Sequence, residues 1–308
     1  MIWIACFVAA FLLVYLLMPI FIRLMEKYKI LDSSGGRKIH KGYTAHMGGV
    51  VIFIAFAVAM FSSVLQMMDK INMLQLLAFI TLLSIVVVLG VRDDMNSLSP
   101  KTKLLCEMVV GFLFCYLDIR LYSFYGLFGV YELPIWLSYI LTIAFIIVVC
   151  NAYNLIDGID GQAGTQALAV FLFLAGFLFH LIYATDVLHQ DTFFANANFW
   201  MIAFVAIIGS IAGFLVFNWQ PAKIFMGDTG SLFIGTLIAL SIIMSMNYSG
   251  ADPILIYDYE IKAKILVFPM FFFLPFADTL RVFVSRIRRG KSPFSADKTH
   301  IHHFLLRT

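Results

Sequence analysis

Long apolar runs constrain this sequence more than any other feature. A helix of about 20 apolar residues is what crosses a hydrocarbon core of roughly 30 Å. Nine candidate runs lie near residues 2–22, 47–66, 73–91, 104–117, 135–152, 163–183, 199–217, 230–247 and 264–283. Hydrophobic residues make up 62% of the chain and charged residues 13%, so the bilayer is the expected solvent. The predicted fold class is all-α: a polytopic transmembrane bundle of about nine spans, with residues 1–308 forming one integral-membrane domain.

The distribution of Lys and Arg predicts the orientation of the bundle, because cytoplasmic connections collect these residues. Residues 23–46 hold six of them, residues 92–103 three, the connection between the seventh and eighth runs one, and the segment from Arg281 onward seven. One side therefore carries 17 of the 21 cations, which predicts an N-terminus outside and a cytoplasmic tail. The first run lacks a basic segment before it and is expected to be a permanent span.

Two of the predicted cytoplasmic connections are rich in carboxylates. Asp93 and Asp94 end the third run, and adjacent anions suit Mg²⁺ or a phosphate-bound metal, although a solvated helix end is the plainer interpretation of an isolated pair. Residues 151–164 hold two carboxylates, two asparagines with Asn154 among them, and three glycines. A simple turn needs fewer such residues, so this segment suits a metal-bound pyrophosphate.

The connection before the eighth run contains Phe225, Gly227 and Asp228. The N-terminus of a helix offers free amides and a positive dipole end, so we expect an anion site here, with Asp228 near a metal and Phe225 stacked on a base. The alternative is that Asp228 only caps the helix and Phe225 only anchors it at the interface.

Basic and imidazole side chains occupy the two remaining cytoplasmic segments. The tail holds an Arg cluster including Arg286, followed by His300, His302 and His303. The Arg cluster could meet only anionic lipid, and the histidines could bind zinc or donate to phosphate and sugar oxygens. Lys38 lies in the basic run of residues 37–41, ahead of Gly48-Gly49, and that run could be a topology signal alone. Because five segments on one side carry metal-ligand or phosphate-ligand groups, their combination predicts a Mg²⁺-nucleotide site.

These motifs, in their order and on their side of the membrane, resemble the polyprenyl-phosphate N-acetylhexosamine-1-phosphate transferases over essentially the full chain. The segments that carry the resemblance are Arg37-Lys38-x-His40 with Gly48-Gly49, Asp93-Asp94, residues 151–161, residues 225–231 and residues 286–303. The tail is similar to the branch that uses UDP-N-acetylglucosamine and undecaprenyl phosphate. Relatives of this kind continue into further spans after the histidine motif, whereas this chain ends at Thr308.

The resemblance implies that a lipid phosphate attacks the β-phosphorus of a UDP-sugar and releases UMP. Asp228 is then the principal Mg²⁺ ligand, Asp93 assists or deprotonates the lipid phosphate, and Asp94 and Asp157 support the metal region. Asn154 and Asp157 bind the nucleotide or the metal shell, and Phe225 stacks on uracil. Arg286 is the fourth expected catalytic residue beside Asp93, Asp94 and Asp228, and it should hold phosphate. The remaining expected substrate-binding residues are Lys38, Lys103, Asp160, Gly227, His300, His302 and His303.

The same resemblance implies Mg²⁺, or Mn²⁺ in its place, as the cofactor. The expected donor sugar is N-acetylglucosamine, with another UDP-N-acetylhexosamine or UDP-MurNAc-pentapeptide as alternatives. The expected surroundings are the lipid of a prokaryotic cytoplasmic membrane, a homodimer is left open, and no nucleic acid is expected. A transporter using Glu107 and Asp278 is a weaker alternative, because transporters place charged sites near the midplane.

Overall fold

The computed structural model describes residues 1–28, 31–33, 43–67, 71–157, 159–184, 191–248, 254–256, 259–261, 269–270, 277, 281 and 288. Eight α-helices dominate these residues. They are α1 (Ile2–Lys27), α2 (Gly49–Leu65), α3 (Met73–Met95), α4 (Pro100–Tyr116), α5 (Ile135–Asn154), α6 (Gln162–Ala184), α7 (Asp191–Asn218) and α8 (Gly227–Tyr248). Two short antiparallel hairpins add β1 (Leu31–Ser33) with β2 (Tyr43–Ala45), and β3 (Ile254–Ile256) with β4 (Tyr259–Ile261).

The mostly helical, multi-pass character predicted from the apolar runs is confirmed. Each of the first eight runs coincides with one helix, in order. Within the described part of the chain, six helices are long and apolar enough to cross a membrane, namely α1, α3, α5, α6, α7 and α8. Helix α2 is apolar but has only 17 residues, and α4 has the same length with three charged residues. Most of the ninth predicted run, and with it Asp278, lies outside the described residues. The two hairpins were not predicted.

Helix α8 forms the centre of the bundle. Of its most apolar stretch 94% is buried, compared with 22% for α1, which lies at the periphery. Several small polar residues of α8 are buried, among them Ser231, Thr236 and Ser245. Small side chains let neighbouring backbones approach closely, which is how helices associate in a membrane without a hydrophobic driving force. Helices α2, α3, α5 and α6 pack around α8.

Two glycine contacts fix the end of the bundle where α8 begins. A methyl group on Gly49 of α2 would lie 2.1 Å from the backbone nitrogen of Gly230, and one on Gly90 of α3 would lie 2.4 Å from the Cα of Thr229. Neither position has room for a side chain. The start of α2, the end of α3 and the start of α8 therefore meet at one point, and we call this the site end of the bundle.

Candidate active site at one end of the bundle

The connection between α3 and α4 is a short turn held by Asp93. One carboxylate oxygen of Asp93 accepts a hydrogen bond from the backbone of Leu98 at 2.7 Å. Ser99 then caps α4 through its hydroxyl, and Pro100 occupies the first turn, where a missing amide hydrogen costs nothing. This geometry brings Lys103 back over the end of α3. Its ammonium lies 3.0 Å from the other oxygen of Asp93.

Asp228, in the first turn of α8, is the point where three other helices converge. The amide of Asn154, at the end of α5, donates to Asp228 at 2.5 Å and to Ser231 at 2.6 Å. The ammonium of Lys103 lies 3.6 Å from the second Asp228 oxygen. The Asp228 side chain is still 35% exposed, whereas that of Asp93 is only 7% exposed. Asp228 is therefore the carboxylate of this pair that a ligand can reach.

Asp94 has a different role from its neighbour. Its two carboxylate oxygens accept hydrogen bonds from the backbone amides of Asp228 at 2.8 Å and Thr229 at 2.9 Å, and the Thr229 hydroxyl donates to it as well. A carboxylate from α3 thus caps the N-terminus of α8 across the bundle. The expectation that these amides are free to bind an anion is wrong for Asp228 and Thr229, because Asp94 already occupies them.

A strap formed by residues 45–49 crosses the start of α8. The Phe225 amide donates to the Ala45 carbonyl at 2.9 Å, and the amides of Gly48 and Gly49 donate to the Phe225 and Met226 carbonyls at 3.0 Å. Between these contacts the buried Met47 adopts a φ of 70°, a conformation that non-glycine residues rarely take. The adjacent His46 lines the cavity of the site end. A strained backbone conformation of this kind persists only where neighbouring contacts enforce it. Here the backbone hydrogen bonds on either side of Met47 do so, next to the wall of the cavity.

The cavity itself has a volume of about 280 Å³. Its lining consists of His46, Asp93, Asp94, Ser97, Asn154, Asp157, Phe225, Gly227 and Asp228. Four of these residues are carboxylates, and the ammonium of Lys103 contacts two of them, Asp93 and Asp228. Carboxylates gathered on one cavity in this way favour a cationic ligand or a metal-bound anion.

Lys103 precedes the apolar part of α4 and stays protonated. Burial alone would lower the pKa of this ammonium, but the negative charges of Asp228, Asp93 and Glu107 outweigh burial and hold the pKa above its ordinary value. Lys103 is therefore a fixed positive charge at neutral pH, placed between two carboxylates.

Most of the predicted site residues that the structure describes meet in this cavity. They are Asp93, Asp94, Asn154, Asp157, Phe225, Gly227 and Asp228, with Lys103 in contact behind them. Gly227 has a φ of 74°, and a methyl group there would lie 2.8 Å from an Asp94 oxygen, so the sequence needs glycine at this position.

Asp160 lies elsewhere. Its carboxylate accepts from the Ala222 amide at 3.0 Å, and it lines a second cavity of about 440 Å³ beside Trp219 and Gln166. Asn218 joins the same two connections, because its side chain accepts from Gly161 and donates to Ile224. Five further predicted site residues, Lys38, Arg286, His300, His302 and His303, lie outside the described residues.

The donor set of the cavity fits Mg²⁺. Among the described residues, no group of three or more His, Cys, Asp or Glu side chains is arranged to hold a metal ion, so Asp228, Asp94 and Asp157 do not form a three-ligand site. Mg²⁺ does not require one, because it usually keeps several waters and binds through one or two carboxylates together with substrate phosphates. The exposed Asp228 carboxylate meets that need, and Asp157 lines the same cavity.

Sequence reasoning missed two residues of the lining, His46 and Ser97. The position of His46 two residues before Gly48-Gly49 was a usable signal, because a glycine pair at a helix start indicates a close approach of backbones. Ser97 carried no signal beyond its place after Asp93 and Asp94.

Comparison with known proteins gives consistent results. Residues 76–246 match the family model described as glycosyl transferase family 4. A Bacillus subtilis strain 168 protein named "Probable undecaprenyl-phosphate N-acetylglucosaminyl 1-phosphate transferase" is 31% identical over 98% of this chain and 77% of its own length. The decaprenyl-phosphate N-acetylglucosaminephosphotransferase of Mycobacterium tuberculosis is 30% identical over 88% of this chain and 67% of its own. A phospho-N-acetylmuramoyl-pentapeptide-transferase of Streptococcus pyogenes is 33% identical over 72% of this chain and 66% of its own length.

Proposed function

This chain belongs to glycosyl transferase family 4, and from that premise we propose that it transfers a sugar 1-phosphate from a UDP-sugar to undecaprenyl phosphate. The observation that carries the proposal is the convergence of Asn154, Lys103 and the capped start of α8 on the Asp228 carboxylate, whose side chain is 35% exposed. Family membership makes the chain a transferase, so the transporter alternative is set aside.

The proposed reaction balances without an oxidant or a further substrate. An oxygen of the lipid phosphate forms a bond to the β-phosphorus of the UDP-sugar, and the bond from that phosphorus to the bridging oxygen of the diphosphate breaks. The products are UMP and a polyprenyl diphosphate-sugar. In such a transfer the protein contributes mainly positioning and neutralisation of charge.

We assign the positioning and the charge neutralisation to different residues of the site. Asp94 and Gly227 hold the start of α8, and Asn154 orients the Asp228 carboxylate by donating to one of its oxygens. Lys103 supplies the positive charge that the phosphates require. Asp93 assists the lipid phosphate by holding Lys103 in place, since a phosphate with a second pKa of roughly 6 needs no strong base at neutral pH.

Asp228 would hold Mg²⁺, with Asp157 and Asp94 beside it, and Mn²⁺ would serve in its place. When bound, the metal neutralises the charge of the pyrophosphate. We place the uracil on Phe225, and the sugar phosphate near Arg286, His300, His302 and His303. Lys38 and Asp160 are the remaining proposed contacts with substrate.

The donor we propose is UDP-N-acetylglucosamine. The similarity to the Bacillus subtilis protein extends over almost the whole of this chain, whereas the similarity to the pentapeptide transferase covers 72% of it. UDP-MurNAc-pentapeptide and other UDP-N-acetylhexosamines are the second candidates.

The proposed topology has nine spans, an N-terminus outside and the site end facing the cytoplasm of a prokaryotic cell. The cation distribution supports this orientation, because Arg92, Lys101, Lys103 and Lys223 all lie near the site end. The donor is then reached from the cytosol and the acceptor from the surrounding lipid.

Purified protein incubated with undecaprenyl phosphate, Mg²⁺ and a panel of sugar-labelled UDP donors tests the proposal. We expect labelled lipid and one UMP for each lipid formed, with UDP-N-acetylglucosamine giving the highest kcat/KM. A preference for UDP-MurNAc-pentapeptide would refute the choice of donor, and no labelled lipid with any donor would refute the function.

A further inference from the structure

Glu107 is a buried carboxylate that the proposed mechanism does not use. It lies on α4 and is 7% exposed. One of its oxygens accepts a hydrogen bond from the Asn151 amide at 2.7 Å. The other oxygen has no hydrogen-bond partner in the part of the chain that the structure describes.

The surroundings of Glu107 are otherwise apolar. Its small cavity is lined mainly by side chains such as Val86, Val110, Ile146 and Leu232, with the Cys150 thiol and the Thr236 hydroxyl as weakly polar exceptions. A half-satisfied carboxylate in such a place costs free energy compared with a well-packed apolar residue. Stability of the fold therefore does not explain why this residue is acidic.

The position of the Glu107–Asn151 contact does offer an explanation. Glu107 follows Lys103 by one helical turn on α4, and Asn151 precedes Asn154 by one turn on α5. Residues three or four apart lie on the same face of a helix. The two helices are thus joined directly behind the pair, Lys103 and Asn154, that converges on Asp228. The negative charge of Glu107 also attracts the Lys103 ammonium.

We propose that Glu107 is a positioning residue for the transfer reaction: with Asn151 it sets α4 against α5 so that Lys103 and Asn154 reach Asp228 together. The inference rests on the proposed function and adds to it a residue that touches neither substrate. Through Lys103 and Asn154, Glu107 controls the geometry of the Asp228 carboxylate, which lines the cavity.

Two substitutions separate positioning from mere packing. Glu107→Gln keeps an oxygen that can accept from Asn151 and removes the charge, whereas Glu107→Leu removes both. We expect kcat to fall about threefold to tenfold in the first variant and about tenfold to a hundredfold in the second, with KM for the donor changed less than threefold. The thermal unfolding midpoint should stay level or rise for Glu107→Leu, since a buried carboxyl group with one unpaired oxygen is lost.

Ser241→Ala is the matched control, because the Ser241 hydroxyl on α8 is also buried without a partner among the described residues. It should leave both kcat and the unfolding midpoint unchanged. A packing role predicts that the kcat and the midpoint of Glu107→Leu fall together, and that result would overturn the inference. So would a kcat within twofold of wild type. An inactive wild-type protein would instead refute the proposed function itself, so the two failures are distinguishable.

Discussion

Helices α5 and α8 take part in a polar cluster at each of their ends. At the site end they meet α4, and at the other end they meet the connection that follows α4. The two clusters are built in opposite ways. At the end opposite the site, the Leu121 amide donates to Thr142 at 2.9 Å and the Leu121 carbonyl accepts from Ser138. The Asn247 amide donates to the Arg120 carbonyl at 2.8 Å and its oxygen accepts from Tyr125. Most of these groups are neutral.

At the site end the corresponding helix ends carry Lys103, Asn154 and Asp228, with Asp93 and Asp94 from α3. Neutral hydrogen bonds at the far end satisfy backbone groups of a loop and leave little capacity for a ligand. Among the described residues of the site end, Asp93 and Asp228 share the Lys103 ammonium, and the Asp228 side chain stays 35% exposed. The comparison teaches that one end of these helices secures the fold, while the other places carboxylates on a cavity, where a ligand can reach them.

The largest difference between the ends should appear when one aspartate at each is changed to asparagine. Asp228→Asn keeps the size of the side chain and removes the charge that faces the cavity, so turnover should fall roughly a hundredfold to a thousandfold and excess Mg²⁺ should restore little of it. Asp118→Asn is the control, because Asp118 is an exposed ion-pair partner of Arg120 at the opposite end. Steady-state transfer assays on both variants measure this difference in turnover. Near-normal turnover in Asp228→Asn would move the reactive carboxylate elsewhere.

A smaller effect is expected from Gly90→Ala, which tests whether the site end depends on close packing of α3 against α8. The added methyl group would lie 2.4 Å from Thr229 Cα and should destabilise the protein by about 1–3 kcal/mol while loosening the Asp94 cap. Gly176→Ala on α6 is the control, because a methyl group there meets no atom within 4 Å. Thermal unfolding of both variants in detergent checks the contrast, and equal midpoints would contradict the packing described.

The smallest effect should come from the opposite end. Asn247→Leu removes the hydrogen bonds to Arg120 and Tyr125, so the free energy of unfolding should fall by about 1 kcal/mol. Turnover per folded molecule should not change, because this end carries no part of the reaction. If kcat fell tenfold while the unfolding midpoint held, the division between the two ends would be wrong.

Much of the fold was predictable because a membrane leaves few alternatives for apolar segments. The first eight runs locate α1 to α8 without reference to packing. The weakest run, near 104–117, became α4, whose charges Lys101, Lys103 and Glu107 dilute the apolar signal. Those charged residues lie at the site end or directly behind it. The residues that weaken the apolar pattern of α4 are therefore the same ones that we connect with the site. The hairpins were missed because three-residue strands show too few alternations of polarity.

The candidate site was predictable in its members and unpredictable in their roles. Asp93 and Asp94 are identical neighbours in sequence, yet one contacts Lys103 and the other caps α8, because successive residues on a helix point about 100° apart. Asp157 and Asp160 were both expected to bind substrate, and the structure places Asp160 on a different cavity from Asp157. Such distinctions depend on which helix lies opposite, and a single sequence does not contain that information.

The most direct test of the central claim follows the β-phosphorus. UDP-N-acetylglucosamine labelled with ³²P at the β-position is incubated with the wild-type protein, undecaprenyl phosphate and Mg²⁺, and with Asp228→Asn in parallel. Transfer of a sugar 1-phosphate places the label in the lipid and leaves unlabelled UMP, and the Asp228→Asn variant should produce little of either. Label retained in released UDP, with an unphosphorylated sugar joined to the lipid phosphate, would contradict attack at the β-phosphorus and the account of this site.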